Sequence, residues 1–534
     1  MIDAISLEIF KNLFVSVAEE MGKTLGRTAF SPNIKERQDF SCAVFDAAGH
    51  MIAHAAHIPV HLGAMPLSVR AAIAECSFEP GDVVILNDPY LGGTHLPDIT
   101  MVSPFFVPDE LAEGDTPRMF GFVASRAHHA DVGGISPGSM PMSTEIFQEG
   151  LIIPPLKLVE NGMIQESLLK LICRNVRTPA ERRGDLSAQL AAQRIGQRRL
   201  REILLRYGVD SAAEHMNGLL EYSERLARAT VQKIPDGRYR FVDDLDDDGQ
   251  SDEPVPISVE IRVAGEEMII DFTGSAAQRL GCVNAVLAVT KSAVAYVVRC
   301  LLGEGVPTND GSLAPVHVIA PEGTVVNPLP PAAVAAGNVE TSQRIVDAIL
   351  GALAQALPDR IPAASQGTMN NLTLGGIDPR TGRSYAYYET IGGGSGAGPR
   401  GDGASGLHVH MTNTMNTPIE ALEFQTPLRL RRYSLRRGSG GAGHHRGGEG
   451  IVRELEFQGP ARVTLLCDRR VFPPYGLQGG QPGATGAATI TRSDGTILSL
   501  PGKVSLDVED GDVLRLETPG GGGWGHAWPD EHPT

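Results

Sequence analysis

Long apolar runs are missing from this chain. No window of its 534 residues stays apolar for the roughly 18 positions a membrane span needs, and Met1 to Phe10 has neither the basic start nor the apolar core of a secretory signal. Positive charge is in short supply. With 46 Lys and Arg against 63 Asp and Glu, the net charge is −17, which excludes nucleic acid and an anionic membrane surface as partners, because phosphate binding relies on clustered cations. Thiol chemistry is also absent: Cys42, Cys76, Cys173, Cys282, Cys300 and Cys467 form no Cys-x-x-Cys pair, no disulfide framework and no thiolate zinc site. They read as reduced, mostly buried residues of a cytoplasmic protein. Aromatic residues make up only 5%, and no Gly-Lys-Ser/Thr loop or strand–GxGxxG–helix unit offers a nucleotide site.

Glycine (62) and proline (37) exceed ordinary usage and concentrate in loops, the mark of many tight turns around shaped sites. The densest chemistry lies between Asn87 and Gly134. Asn87-Asp88-Pro89-Tyr90-Leu91-Gly92-Gly93-Thr94-His95-Leu96-Pro97-Asp98 is followed by two apolar, β-rich runs, Ile99 to Val107 and Met119 to Ser125, and then by His128-His129-Ala130-Asp131. The two runs are predicted to pair as a hairpin. Pairing brings their far ends together, so that His95, Asp98, His128, His129 and Asp131 gather at one mouth. Nitrogen and oxygen donors without thiols suit a hard or borderline divalent cation, Mn or Zn.

Around this stretch the pattern is mixed α/β (α+β): a large interlocked, multi-layer chain with helical N-terminal segments and β-rich central and C-terminal regions. Apolar residues at helical spacing predict a helix over Ile5 to Thr28; Pro66 to Cys76 reads as a second, and Val83 to Leu86 as a strand. Asp39 reads as a turn cap, and His50, His54, His57 and His61 as secondary ligand candidates, since Pro59 interrupts the helical spacing of the last pair. Residues 143–232 are mostly helical and charged; Arg174, Arg177, Arg182 and Arg183 read as a solvated face with anion binding as the alternative. The acidic tract Asp243 to Asp248 lacks the spacing of an EF-hand loop. Three regions follow: 1–235, α/β with the metal site; 236–427, α/β with a polar, glycine-rich site; and 428–534, β-rich.

The second polar concentration lies in the middle region. Helices are expected over Ala285 to Leu302 and Glu340 to Leu357, the latter flanked by runs of small and amide residues that include Asn338, Asn370 and Asn371. Further on, Tyr387-Tyr388-Glu389 leads into a glycine turn, and His408, His410 and Thr412 alternate onto one face of an expected strand, followed by Asn413 and Asn416. Asn370, Asn371, His408, Asn413 and Asn416 are candidates to bind an uncharged polar substrate, and Asp131, Glu389 or His410 to act as general base.

Five stretches resemble the hydantoinase B/oxoprolinase family, in that family's order: Leu86 to Asp98, Ala124 to Asp131, Gly337 to Arg344, Ala364 to Asn371, and Thr518-Pro519-Gly520-Gly521-Gly522-Gly523-Trp524-Gly525. The resemblance implies a B-type subunit working in a hetero-oligomer with a larger hydantoinase A-type subunit, which uses ATP to phosphorylate a carbonyl or enolate oxygen. The expected reaction is hydrolysis of a cyclic amide such as a hydantoin, 5-oxoproline or a lactam. A carboxylase subunit of the acetone or acetophenone type is the alternative, and a non-catalytic scaffold the bland one. By likeness to acetone carboxylase, a Mn²⁺ would be held by His95, Asp98 and His128, with His129 competing for the third place.

Overall fold

The computed structural model describes residues 2–527 except Ala56, Glu113 and Glu304. Seven strands form the N-terminal sheet: β1 (Phe40–Asp46), β2 (Met51–His54), β3 (Val83–Leu86), β4 (Asp98–Phe106), β5 (Met119–His128), β6 (Leu156–Glu160) and β7 (Met163–Ile164), in the order β2-β1-β5-β4-β3-β6-β7. The expected hairpin is its centre. β4 and β5 run antiparallel with Asp98 opposite His128, Thr100 opposite Arg126 and Val102 opposite Ala124. Since side chains alternate along a strand, this register puts Asp98, Thr100, Arg126 and His128 on one face of the sheet.

Helix Ala4–Thr28 caps the other side of this sheet. Asp3 accepts the backbone N–H groups of Ile5 and Ser6 as its N-cap, and Phe10, Phe14, Val17, Met21 and Leu25 form the buried stripe that the 3.6-residue period predicted. The helices Pro179–Tyr207 and Val209–Val231 complete that layer, with Ala188, Ala192, Leu200 and Leu204 in the same apolar cluster. Gln189 and Gln193, on the inner side of the first of these two, donate to the carbonyls of Ile99 and Met101 and so tie helix to strand.

A second sheet holds β8 (Gly237–Leu245), β9 (Val255–Ala264), β10 (Glu267–Asp271) and β11 (Val316–Ile319), covered by the helices Leu287–Leu302 and Ser342–Ala356. Two further sheets interlock along the rest of the chain. One orders Ser384–Glu389, Asn371–Ile377, Ala461–Leu466 and Lys503–Val508, so strands on either side of residue 427 pair directly. The other has five strands between Leu428 and Glu517. The largest apolar cluster draws residues from Ile58 to Leu466, which makes the layers one interlocked body. No helix among the described residues is long and apolar enough to cross a membrane.

One expectation changes here. The stretch His408 to Pro418 is irregular chain, not a strand, although His408, His410 and Thr412 still face one cavity. The acidic tract is not a cation loop: Asp243 lies in β8 and faces Arg344 and Arg469, while Asp246 accepts the backbone N–H groups of Arg470, Val471 and Phe472. The C-terminal glycine run serves close packing. A Cβ on Gly521 would lie 1.9 Å from the Ser395 carbonyl oxygen, so backbone meets backbone where a larger residue would hold the two segments apart.

Candidate metal centre

The β4–β5 register delivers Asp98 and His128, and the turn before β4 delivers His95. His95 Nε2 lies 3.1 Å from Asp98 Oδ1 and 3.2 Å from His128 Nδ1, and His128 Nδ1 is 3.1 Å from the same Asp98 oxygen. All three side chains are buried. Three nitrogen and oxygen donor atoms turned toward one another are an arrangement that a divalent cation can bridge. Their separations match the edges, about 3.0–3.4 Å, of a coordination polyhedron with bonds near 2.1 Å, so the donor set fits a divalent cation.

The surroundings fix which atoms face inward. His95 Nδ1 donates to the Ala335 carbonyl oxygen at 3.3 Å, which leaves Nε2 with its lone pair toward the cluster. Thr94 Oγ1 donates to Asp98 Oδ2 at 2.6 Å and Asn338 Nδ2 reaches the same oxygen at 3.4 Å, so Oδ1 is the free face of the carboxylate. Asn338 is presented by a π-helical turn, Gly337–Thr341, that opens the helix Ser342–Ala356. Gly337 permits it: a Cβ there would lie 1.8 Å from the Asn284 carbonyl oxygen.

A third histidine joins from a segment that reads as secondary in the sequence. The single turn Pro59–His61 places His61 Nε2 3.5 Å from Asp98 Oδ2, while His61 Nδ1 meets the Ser41 hydroxyl at 2.9 Å. His61 Nε2, His128 Nε2 and Asn338 Oδ1 are all buried without a partner among the described residues. Burial pushes the Asp98 carboxyl up, but His95, His128 and His61 outweigh it and hold it well below the usual range. Burial lowers His128 to about 4 and also lowers His61, so both imidazoles are neutral at pH 7, as ligands must be. For His95, burial pulls downward and Asp98 more than reverses it. Asp39, expected as a turn cap, faces the same region: burial lifts its carboxyl to about 6, with Asp98 adding to the rise.

Other expected site residues go elsewhere. His129 turns away from the cluster and meets Gln189 at 3.0 Å, because neighbouring side chains on an extended chain point oppositely. Asp131 is locked by Arg177, whose Nη1 and backbone N–H each donate at 2.7 Å; a carboxylate so paired is not a free base. The same holds for Glu389, which takes two 2.8 Å hydrogen bonds from Arg453 and one from the Tyr387 hydroxyl. Arg182 and Arg183 likewise pair with acids, Asp185 and Glu166. Asn370 and Asn371 are buried and committed. Asn370 donates to Gln366 and to the Ile391 carbonyl; Asn371 donates to Glu340 and the Leu466 carbonyl and accepts from the Tyr388 hydroxyl. Asn416 is exposed and donates to the Tyr433 hydroxyl. His408, His410 and Asn413 do converge, on a cavity of about 590 Å³ that also involves Pro59, Tyr296 and Ser365. There His410 Nε2 meets Asp347 at 3.1 Å.

Thr94 and Asn338 are the residues here that the sequence did not mark as site residues; His61 reads there as a secondary ligand candidate, and Asp39 as a turn cap. Thr94 is adjacent to His95, and Asn338 stands in a run of small and amide residues, so the signals are local; the direction in which each side chain points is not.

Comparison with known proteins gives the family. The family model for hydantoinase B/oxoprolinase matches residues 3–527. An uncharacterised protein of Methanocaldococcus jannaschii is 43% identical over 98% of this chain and 91% of its own length. 5-Oxoprolinase 1 of Arabidopsis thaliana is 41% identical over 98% of this chain but only 42% of its own, so the chain spans about four-tenths of that relative. A Pseudomonas protein named as a candidate B-type subunit of a D-/L-hydantoinase is 31% identical over 98% and 90% of the two chains. Among solved structures, the ATP-dependent caprolactamase of Pseudomonas jessenii superposes with a TM-score of 0.90 at 29% identity, covering 98% of this chain and 92% of that one. Acetone carboxylase, at 19% identity, shares the fold with a TM-score of 0.89 over 97% and 76% of the two chains. The chain belongs to the hydantoinase B/oxoprolinase family.

Proposed function

We propose that this chain is the B-type part of an ATP-dependent hydrolase of cyclic amides, working with an A-type partner that spends ATP to phosphorylate the amide oxygen of a hydantoin, 5-oxoproline or lactam. The observation that carries the reading is the buried triangle of His95 Nε2, Asp98 Oδ1 and His128 Nδ1, whose surrounding hydrogen bonds aim the lone pairs of His95 and Asp98 inward. These three residues would hold the divalent cation, Mn or Zn. Such an ion supplies Lewis acidity, which lowers the pKa of water and makes it a nucleophile at neutral pH.

The protein's own residues do the rest. Thr94 and Asn338 hold Asp98 in one orientation. With its ring proton on Nδ1, donated to the Ser41 hydroxyl, His61 has a basic Nε2 beside Asp98 and is the group that accepts the proton of the attacking water, in place of Asp131 and Glu389. His408, His410 and Asn413 orient the substrate from the adjoining cavity. The burial of the cluster keeps bulk water from a phosphorylated intermediate.

Metal analysis tests the assignment. Purified chain is expected to carry near one equivalent of Mn or Zn, and the His95→Ala, Asp98→Ala double variant to carry none and to lose amide hydrolysis with partner and ATP. Full activity in the double variant would overturn the reading.

A further inference from the structure

A buried cation beside the cluster has no role in the account above. Arg37 lies just before β1, and its side chain is fully buried. Nη2 donates to the Thr390 hydroxyl at 2.7 Å and to the Thr414 hydroxyl at 2.9 Å, and the two hydroxyls bond each other. Nε and Nη1 have no partner, and no carboxylate pairs with this guanidinium among the described residues. Leaving a buried charge unpaired is costly, so a fold that holds one has a use for it.

Its position says what the use is. The Arg37 guanidinium stands 6.0 Å from the Tyr388 ring, and that ring stacks on His128 with centroids 4.5 Å apart and planes 22° off parallel. On the other side Thr414, which anchors Arg37, lies 3.5 Å from His408 Nε2, and His408 forms part of the 590 Å³ cavity wall. Arg37 thus stands between cavity and cluster. A second guanidinium, Arg126, bonds the Thr100 and Ser68 hydroxyls from the cluster's own sheet face, with Nη1 unpartnered and again no carboxylate pair among the described residues. Against these cations stand Asp98 and Asp39, and a bound divalent ion would add further positive charge. Two carboxylates balance two guanidiniums in formal charge, but neither pairs with Arg37, so what its free N–H groups lack is an anion within hydrogen-bonding distance.

We infer that Arg37 is a binding residue for an oxyanion of the reacting molecule, a phosphoryl or carboxylate oxygen, held between the cavity and the His95–Asp98–His128 cluster. Its planar N–H donors match such oxygens, and a neutral amide would leave the charge unanswered. The inference rests on the proposed function only for the name of the anion; the unpaired guanidinium stands without it.

The test is titration calorimetry of the full chain, metal-loaded and metal-stripped, with inorganic phosphate and separately with 5-oxoproline, the carboxylated lactam, against 2-pyrrolidone, which lacks the carboxylate. Arg37→Gln is expected to weaken at least one of the two anions by about tenfold or more, the value of a charged hydrogen bond, without changing metal content. Loss for phosphate alone assigns the phosphoryl oxygen; loss for 5-oxoproline but not 2-pyrrolidone assigns the carboxylate. Equal binding of both anions to wild type and variant, or binding of neither to wild type, overturns the inference. Should the variant fail to fold, crystals of the wild-type chain grown in phosphate decide it by showing the anion at Nε and Nη1 of Arg37 or showing none there. A cluster without metal, beside a variant that still loses its anion, would remove the metal reading and leave this one standing.

Discussion

Two buried polar regions of this protein are built from similar residues and end in opposite conditions. Around Arg344 the charges answer one another. Its Nη1 meets Asp243 at 3.1 Å and its Nη2 meets Asp468 at 2.7 Å; Arg469 reaches Asp243 and Asp347 at 2.7 Å each, and Lys503 reaches Asp468 at 2.9 Å. Arg344 Nε and Arg469 Nε lack a partner here, but each guanidinium meets carboxylates; around Asp98, His61 Nε2, His128 Nε2, Asn338 Oδ1 and two nitrogens of Arg37 are left over, and Arg37 meets no carboxylate among the described residues. The first region joins β8, the helix Ser342–Ala356 and the C-terminal segment, and its charges are used up in doing so. The second keeps donors and acceptors that only something from outside can satisfy. A buried guanidinium that no carboxylate meets, more than the mere presence of ionisable residues or a single unpartnered nitrogen, separates a binding site from a structural lock.

The contrast can be broken from either side. Arg344→Met is expected to have the largest effect on stability, about 3–5 kcal/mol, because it strands buried carboxylates without a cation. It should leave the metal content of the folded fraction unchanged. Thermal unfolding with metal analysis of the soluble protein checks both; a wild-type melting temperature would deny the lock its role. Asn338→Ala is expected to do the reverse: little change in unfolding, with metal affinity weakened about 10–100-fold, as for other residues that orient a ligand. Competition with a chelator measures it, and unchanged affinity would show that Thr94 alone holds Asp98.

Glu340 provides the smallest and most specific test, because it lies two residues from Asn338 yet belongs with the structural side. Its Oε1 accepts from Met369 N–H and Asn371 Nδ2, and burial, helped by Asp468, raises its carboxyl from 4.5 to about 8. With the folded pKa above the unfolded one, the folded chain keeps a proton that the unfolded chain has lost. The contribution is therefore greatest below pH 4.5, falls as pH rises, and levels off above about 8. Glu340→Gln should remove this slope, gaining on the order of 1 kcal/mol at pH 8 relative to wild type. Parallel melting curves for the two proteins across that window would show that Glu340 is not buried as a neutral acid.

Much of the metal-type site was legible in sequence for a definite reason. Alternation and a short loop define a hairpin locally, and once β4 and β5 pair, the two-residue period decides that Asp98 and His128 share a face while His129 does not. The doubt between His128 and His129 is a matter of strand register, which the sequence leaves open by one residue and the ladder closes. The pairing of Asp131 and of Glu389 is hidden from sequence, because a lone carboxylate near a turn gives no sign of its partner. Arg177 is 46 positions from Asp131, and Arg453 is 64 positions from Glu389.

The sequence by itself therefore determined the mixed α/β character, the central hairpin, the gathering of nitrogen and oxygen donors at His95, Asp98 and His128, and the family. These depend on local periodicity and on motifs that are contiguous along the chain. Only the tertiary structure decided that His61 and Asn338 complete the surroundings of Asp98, that Arg37 stands unpaired beside them, and that Glu389 does not. Asn338 reaches Asp98 across 240 positions and Arg37 reaches Thr390 across 353. At such separations a contact is set by how layers stack and which face a turn presents, and no pattern within one segment encodes it.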